Sequence, residues 1–317
     1  MYIIFSKCKK IFIFFCKVIK FFKNYLFKDP VFVFKYFFAY FQSDYVPHAK
    51  FYSTEEFMTE IKKGKSFVRI GDGEIGLLHH RDIHYQKADP LLISKLKEII
   101  ENYGKENTET DLNYKENIET KIEKNKNKSY NYILSIPIFV NTSNKDLENT
   151  KGKLSCWLPL KVEFFRRFNQ EAKYFDAHAF YRKDFFEKYM YDYLKDKKLI
   201  INTKAETINN QKENIEKMFD VLGWIESKSS NSFDDYEETK EKIQDLIDRE
   251  LSLKNKLKLG IVKKETENIK KDIVLILASG PMSKVLSYDF AQQGIQGIDI
   301  GKGFEQLYNE VDYEEEI

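Results

Sequence analysis

"KDIVLILASGPMSKVLSYDFAQQGIQGIDIG", residues 271–301, holds two apolar runs of strand length with one helical repeat between them. Residues 272–278 are almost continuously aliphatic, as a strand buried on both faces is, and residues 295–300, with isoleucine at 295, 298 and 300, read as a second strand. Gly280-Pro281 makes a tight turn, residues 282–293 follow helical spacing, and Gly294 stands where a helix takes its C′ stop. A strand–helix–strand unit of this length joins parallel strands. The expectation is an α/β fold with a mostly parallel sheet and helices on its faces.

Upstream segments extend the pattern. "SFVRI" (66–70), "YNYILSIPIF" (130–139) and "KKLIINTK" (197–204) read as further buried strands. "STEEFMTEIKKGK" opens a helix with Ser53 and Glu56 in capping-box spacing, and Gly64 ends it. Apolar residues at 92, 96, 99 and 100 give a second helix, closed near Gly104. Residues 105–129 are polar and carry few bulky apolar side chains, which reads as a solvated insertion. Residues 237–270, rich in Glu and Lys with Leu and Ile at helical intervals, read as a solvent-facing helical excursion.

The 317 residues suffice for one large domain or two smaller ones. Lys and Arg number 52 against 50 Asp and Glu, so the broad basic field of a nucleic-acid binder is missing. Cys8, Cys16 and Cys156 show neither metal-ligand spacing nor a disulfide framework, which implies a reduced, cytoplasmic setting.

The amino-terminal 28 residues differ from the rest: seven lysines, no acid and many aromatics. Their longest apolar run, Ile11 to Cys16, is too short to span a bilayer, and no secretory cleavage pattern follows. At roughly 100° per residue, Ile4, Ile11, Phe15, Val18, Phe22 and Leu26 share one face, and Lys7, Lys10, Lys17 and Lys20 the other. A basic amphipathic helix of this kind lies on an anionic membrane surface, or docks on the protein's own core or a partner. Asp29-Pro30 ends it, and an apolar stretch continues to Phe41. The expected division is a basic segment over 1–42 and a catalytic domain over 51–312.

Chemistry concentrates in "SFVRIGDGEIGLL", residues 66–78. In an extended chain Asp72 and Glu74 point to the same side, and in a turn they can still converge. Two acids that close repel unless a cation or a shared proton lies between them. Mg²⁺ or Mn²⁺ takes one or two carboxylates and completes its shell with water and substrate phosphate. Gly71 and Gly73 let a diphosphate approach the backbone, and Arg69 can pair with its oxygens. The competing reading is a plain surface Asp-Gly turn.

"SGPMSK" adds a second phosphate candidate. It places Ser279, Gly280, Pro281 and Ser283 at the positive end of a helix that follows a strand. A Gly-Pro connection that merely turns the chain is the alternative.

Together, "RIGDGE", "YQKADPLLISKLKEII" and "ASGPMSKVLSYDFAQQGIQGIDIG" resemble the GT-D-type glycosyltransferases, bacterial enzymes of surface glycan and glycoprotein assembly. "DAHAFYRKDFF" (176–186) and "KSSNSFDDYEETKEKI" (228–243) are similar to the family's intermediate segments, in the right order. The resemblance spans about residues 51–310 and leaves out the basic amino terminus. It implies a Rossmann-like fold, a nucleotide-sugar donor (a UDP-sugar favoured) and Mn²⁺ or Mg²⁺ held by an Asp-x-Glu motif, here Asp72 and Glu74. One departure stands out: Asp299-Ile300-Gly301 runs into Lys302-Gly303-Phe304-Glu305 where the family usually has His and an acidic-aromatic run.

Other candidates follow from position. Arg182 either grips diphosphate or stacks on neighbouring rings. Lys204 ends a strand, where α/β sheets bind ligands. Ser230, Asn231 and Asp234 are sugar or nucleotide contacts, and Asp299 or Glu305 the base for an acceptor hydroxyl. His79, His80 and His84 lack a third ligand and read as a surface or partly buried cluster. The expected activity is metal-dependent sugar transfer to a surface glycan or glycoprotein at the inner face of the plasma membrane. A metal-dependent phosphoesterase and a non-catalytic nucleotide-sugar-binding scaffold are the alternatives.

Overall fold

The strands are β1 (Lys50–Phe51), β2 (Ser66–Arg69), β3 (Tyr132–Ile136), β4 (Lys173–Asp176), β5 (Lys198–Lys204), β6 (Asp220–Ser227), β7 (Ile273–Leu277) and β8 (Gln296–Asp299). In the computed structural model, which describes residues 29–104, 131–150, 153–257 and 270–306, they form one sheet. The order is β1-β4-β3-β2-β8-β7-β5-β6, and every neighbouring pair is parallel. The five expected strands are present; β1, β4 and β6 add to them. The basic segment 1–28 and the polar insertion 105–129 lie outside the described residues.

The longer helices are α1 (Pro30–Tyr40), α2 (Thr54–Lys62), α3 (Asp72–Leu78), α4 (Pro90–Asn102), α5 (Asn144–Asn149), α6 (Lys153–Arg167), α7 (Ala205–Met218), α8 (Tyr236–Leu257) and α9 (Pro281–Ala291). Side chains alternate across the pleat, so each strand feeds two cores. Val68, Leu134, Ile200 and Leu275 pack with Leu96, Phe164, Ile243 and Val285 from α4, α6, α8 and α9. Phe67, Ile133, Ile201 and Ile276 pack on the other face with Phe57 and Ile61 from α2 and Ile215 from α7.

Helix α8 is amphipathic: Ile243 and Ile247 are buried against the sheet while Glu241, Lys242, Asp245 and Asp248 stay exposed, because one apolar stripe suffices to seat a charged helix. The rest of that segment, 258–269, is outside the described residues.

Asp29-Pro30 begins a helix. Asp29 accepts the Phe32 N–H at 2.9 Å as N-cap, and Pro30 occupies the first turn, where its missing N–H costs nothing. Phe32, Val33 and Ala39 of α1 pack with Leu154, Leu158 and Val162 of α6 in a third apolar cluster. The stretch 30–41 is therefore a helix seated on the body. Lys161, buried beneath it, donates to the carbonyls of Tyr45 and Thr142 and to Asn144 Oδ1, closing the loops around α1.

Candidate active site

Carboxyl ends of β2, β7 and β8 meet at the middle of the sheet, where open α/β folds bind ligands. Arg69 ends β2. Its guanidinium lies 3.3 Å from each carboxylate oxygen of Asp299, which ends β8, and donates to the Ala177 carbonyl at 3.3 Å. The Tyr181 ring lies 5.1 Å from its centre. Lys284, on the first turn of α9, places Nζ 3.1 Å from Asp299 and 3.5 Å from Glu74. It also donates to the Gly280 carbonyl at 3.1 Å. All four charged groups are buried, and two cations against two acids leave the set balanced.

Burial by itself disfavours charge on Arg69 and Lys284. Asp299 beside both, and Glu74 beside Lys284, outweigh that, and both cations are held above their ordinary values.

The glycine motif is not extended. Gly71 caps α3, so Asp72 and Glu74 begin its first turn, where residues two apart face different directions. Asp72 is exposed and its Oδ1 accepts the Gly73 N–H at 2.9 Å. Glu74 turns inward, accepts the Gly71 N–H at 2.8 Å through Oε2 and faces Lys284 through Oε1. The same-side geometry expected of a strand is thus replaced by one open acid and one buried, paired acid. An exposed carboxylate such as Asp72 is the kind of hard-oxygen donor that could hold Mg²⁺ or Mn²⁺, and Glu74, paired with Lys284, stands behind it.

The Ser279–Ser283 turn bonds to itself. Ser283 Oγ accepts the Ser279 N–H at 2.7 Å, the two hydroxyls lie 3.0 Å apart, and Pro281 is buried. Gly280 takes φ +62°, and the Tyr85 ring covers it, 3.2 Å from where a Cβ would stand. Asn231, itself left-handed, accepts from Lys87 N at 2.8 Å and donates its N–H to the Tyr85 carbonyl at 2.7 Å. Ser232 donates to the Ser279 carbonyl at 2.7 Å. Residues 231–232 therefore tie the 85–87 loop to the α9 turn, and Ser230 beside them is exposed.

Asp299, expected as a base for the acceptor, is 0% exposed and lies between two cations, Arg69 and Lys284. Glu305 falls in a short helix, Gly303–Gln306, and its side chain lies outside the described residues. Arg182 is exposed with its guanidinium 5.9 Å from the centre of the Phe185 ring. Lys204 stands exposed at the end of β5, and Asp234 is exposed.

The histidines separate because α3 stops at His79. His80 takes φ +56°, and His84 is exposed beyond it. His79 and Glu163 are buried beside the half-buried Asp29, and one ligand atom from each lies within 4.8 Å of the others. That spacing would admit a small cation. Arg166 already pairs with both carboxylates, and Arg167 lies 2.6 Å from Glu163, so the cluster is built as an ion-pair clamp among α1, α3 and α6.

Sequence reasoning passed over Lys284, although it stands inside a quoted motif. The signal was available: a lysine in a helix otherwise apolar enough to be buried throughout must find acids.

The family model for the glycosyltransferase GT-D fold matches residues 67–314. The chain belongs to the GT-D glycosyltransferases. Among solved structures, one described as the highly conserved domain of unknown function 1792 with a distinct glycosyltransferase fold is similar to this GT-D chain. Its TM-score is 0.55 at 19% identity, over 82% of this chain and 80% of that one. A glycosyltransferase with the same domain from Streptococcus sanguinis gives 0.55 at 18% identity, over 82% and 83%. At such identities the likeness is one of fold. No curated protein sequence matches the chain.

Proposed function

We propose that this glycosyltransferase moves a sugar from a nucleoside-diphosphate donor, a UDP-sugar by preference, to a hydroxyl of a cell-surface glycan or glycoprotein, with Mn²⁺ or Mg²⁺ at Asp72. The observation that carries the reading is charge balance at the central strand ends. Arg69, Lys284, Glu74 and Asp299 neutralise one another, so an arriving diphosphate finds no spare buried cation among them. The exposed acid beside them, Asp72, suits the missing positive charge.

When bound there, a divalent cation supplies charge stabilisation for the departing nucleotide. The chain's own residues do the rest. Lys284 keeps Glu74 turned inward, and Asp299 holds Arg69 at the floor; Gly71 and Gly73 carry no side chain beside Asp72. Lys204 at the next strand end offers an exposed ammonium to phosphate. Glu305, six residues after Asp299, is the remaining candidate for the acceptor's base. The lysines of residues 1–28 would bring the enzyme to an anionic membrane on its cytoplasmic side, where lipid-linked acceptors are built.

The test measures nucleotide release from UDP-sugars with and without glycan acceptors, in Mn²⁺ and in EDTA. Release that needs both metal and acceptor supports the proposal. Equal release without an acceptor favours a phosphoesterase, and full activity in EDTA removes the metal.

A further inference from the structure

Helix α1 presents a second apolar face to the outside. Val31 (56% exposed), Phe34 (66%), Phe37 (42%) and Phe38 (53%) follow helical spacing and occupy about a third of the helix circumference. The Phe34 and Phe38 rings are contiguous, with centroids 4.6 Å apart. The opposite side, Phe32, Val33 and Ala39, is the side seated on α6. A soluble helix normally carries charge where α1 carries phenylalanine; Lys35, at the edge of the face, is its one charged residue.

We propose that this face of α1 inserts into the headgroup boundary of an anionic lipid bilayer. The lipid is chosen by charge. Residues 1–28, which lead directly into α1, hold seven lysines and no acid. Pairing two copies of the chain through this face would bring two such segments together at a cost in repulsion, whereas anionic headgroups attract them. At 1.5 Å per residue the helix is about 16 Å long, half a hydrocarbon core, so it lies in the surface. No helix among the described residues is long and apolar enough to cross a membrane.

The seat is rigid. Asp29 caps α1 and pairs with Arg166 of α6 at 2.9 Å, while Phe32 stacks on His79 with ring centroids 3.7 Å apart. His79 is the C-cap of α3, whose first turn carries Asp72. One seven-residue helix, about 10 Å, therefore separates the residue under α1 from the candidate metal ligand. An acceptor carried in the same bilayer would be held at a fixed distance from the site.

The proposal rests on reading residues 1–28 as a lipid-facing basic segment, and its test keeps the two apart. Full-length protein is sedimented with vesicles of phosphatidylglycerol and phosphatidylethanolamine, and with phosphatidylcholine alone. Wild type should pellet with the anionic vesicles. Phe34→Ser/Phe38→Ser should weaken that binding about a hundredfold, with the melting temperature in free solution unchanged. The quadruple change of Lys7, Lys10, Lys17 and Lys20 to Gln should weaken it as well.

If the serine variant binds as wild type does while the glutamine variant does not, the α1 proposal fails and the basic-segment reading stands. If wild type ignores anionic vesicles, both fail. If the serine variant only turns a dimer into a monomer, the face is a self-association surface and the proposal fails. Should the serine variant not fold, Phe38→Trp with brominated lipid gives an independent reading. Added quenching above the Trp157 and Trp224 background supports insertion, and no added quenching overturns it.

Discussion

The Lys284 ammonium lies 3.1 Å from Asp299, and both groups are buried at the central strand ends. Removing one partner of a buried pair strands the other, at a cost of about 3–5 kcal/mol. Lys284→Met should therefore unfold at markedly lower urea. Lys284→Met/Glu74→Gln should recover part of the loss, because the second change removes an acid left short of a partner. Unchanged urea midpoints would show that the pair carries no stability. Since the Lys284 pKa is raised above 10.5, its contribution is complete below that pH and fades as pH climbs through the higher folded value.

Gly301 adopts φ +52°, and a Cβ there would stand 1.8 Å from Arg69 Nη2. Gly301→Ala should displace the guanidinium and cut transferase activity at least about tenfold, the expected effect of a small misplacement at a reacting site. Gly294→Ala is the control: φ is +76° there with open space around it, so only backbone strain of about 1 kcal/mol is expected, and full activity. Equal behaviour of the two variants would mean that Arg69 does not need its place.

Asp72 and Glu74 should separate under mutation. Asp72 is exposed, so Asp72→Asn should leave the melting temperature within about 1 °C and abolish metal-stimulated transfer. Glu74 is buried against Lys284 and bonds the Gly71 N–H, so Glu74→Gln should also cost roughly 1–3 kcal/mol of stability. Matching stability losses in the two variants would contradict the split geometry.

The clamp under α1 should be acid-sensitive. Burial raises the Asp29 and Glu163 carboxyls, but the Phe32 N–H and Arg166 outweigh it for Asp29, and His79, Arg166 and Arg167 for Glu163; both end below their ordinary values. Their contribution is present above the unfolded values, 3.8 and 4.5, and is lost as pH falls through the lower folded ones. Fluorescence of Trp157, which packs in this cluster, should change below about pH 4, and Asp29→Asn should shrink that change. A pH-independent signal down to pH 3 would count against the clamp.

How much of this was legible depends on burial pattern. β7 was readable because burial on both faces makes it a continuous aliphatic run, β3 and β5 because each carries a run of apolar residues, and β8, "QGID", because it follows the helix stop at Gly294. β4 is four residues long, and the sheet-edge β6, "DVLGWIES", is half exposed and holds Gly223 against Leu246, so neither has a strand's plain signature. At the site, residue types were legible and directions were not. "GDGE" reveals two acids, but whether they converge depends on where α3 starts, and that is set by Gly71 capping against Glu74. The buried quartet joins residues up to 230 positions apart, which local spacing does not reveal.

The central claim is a nucleoside-diphosphate sugar held with a divalent cation at Asp72. Thermal unfolding of the full chain with a panel of UDP-sugars, in Mn²⁺ and in EDTA, tests it most directly. The expected result is a rise of about 5 °C for wild type with a UDP-sugar and Mn²⁺ together, and none in EDTA or in Asp72→Asn. The same rise in EDTA, or in Asp72→Asn, would contradict it.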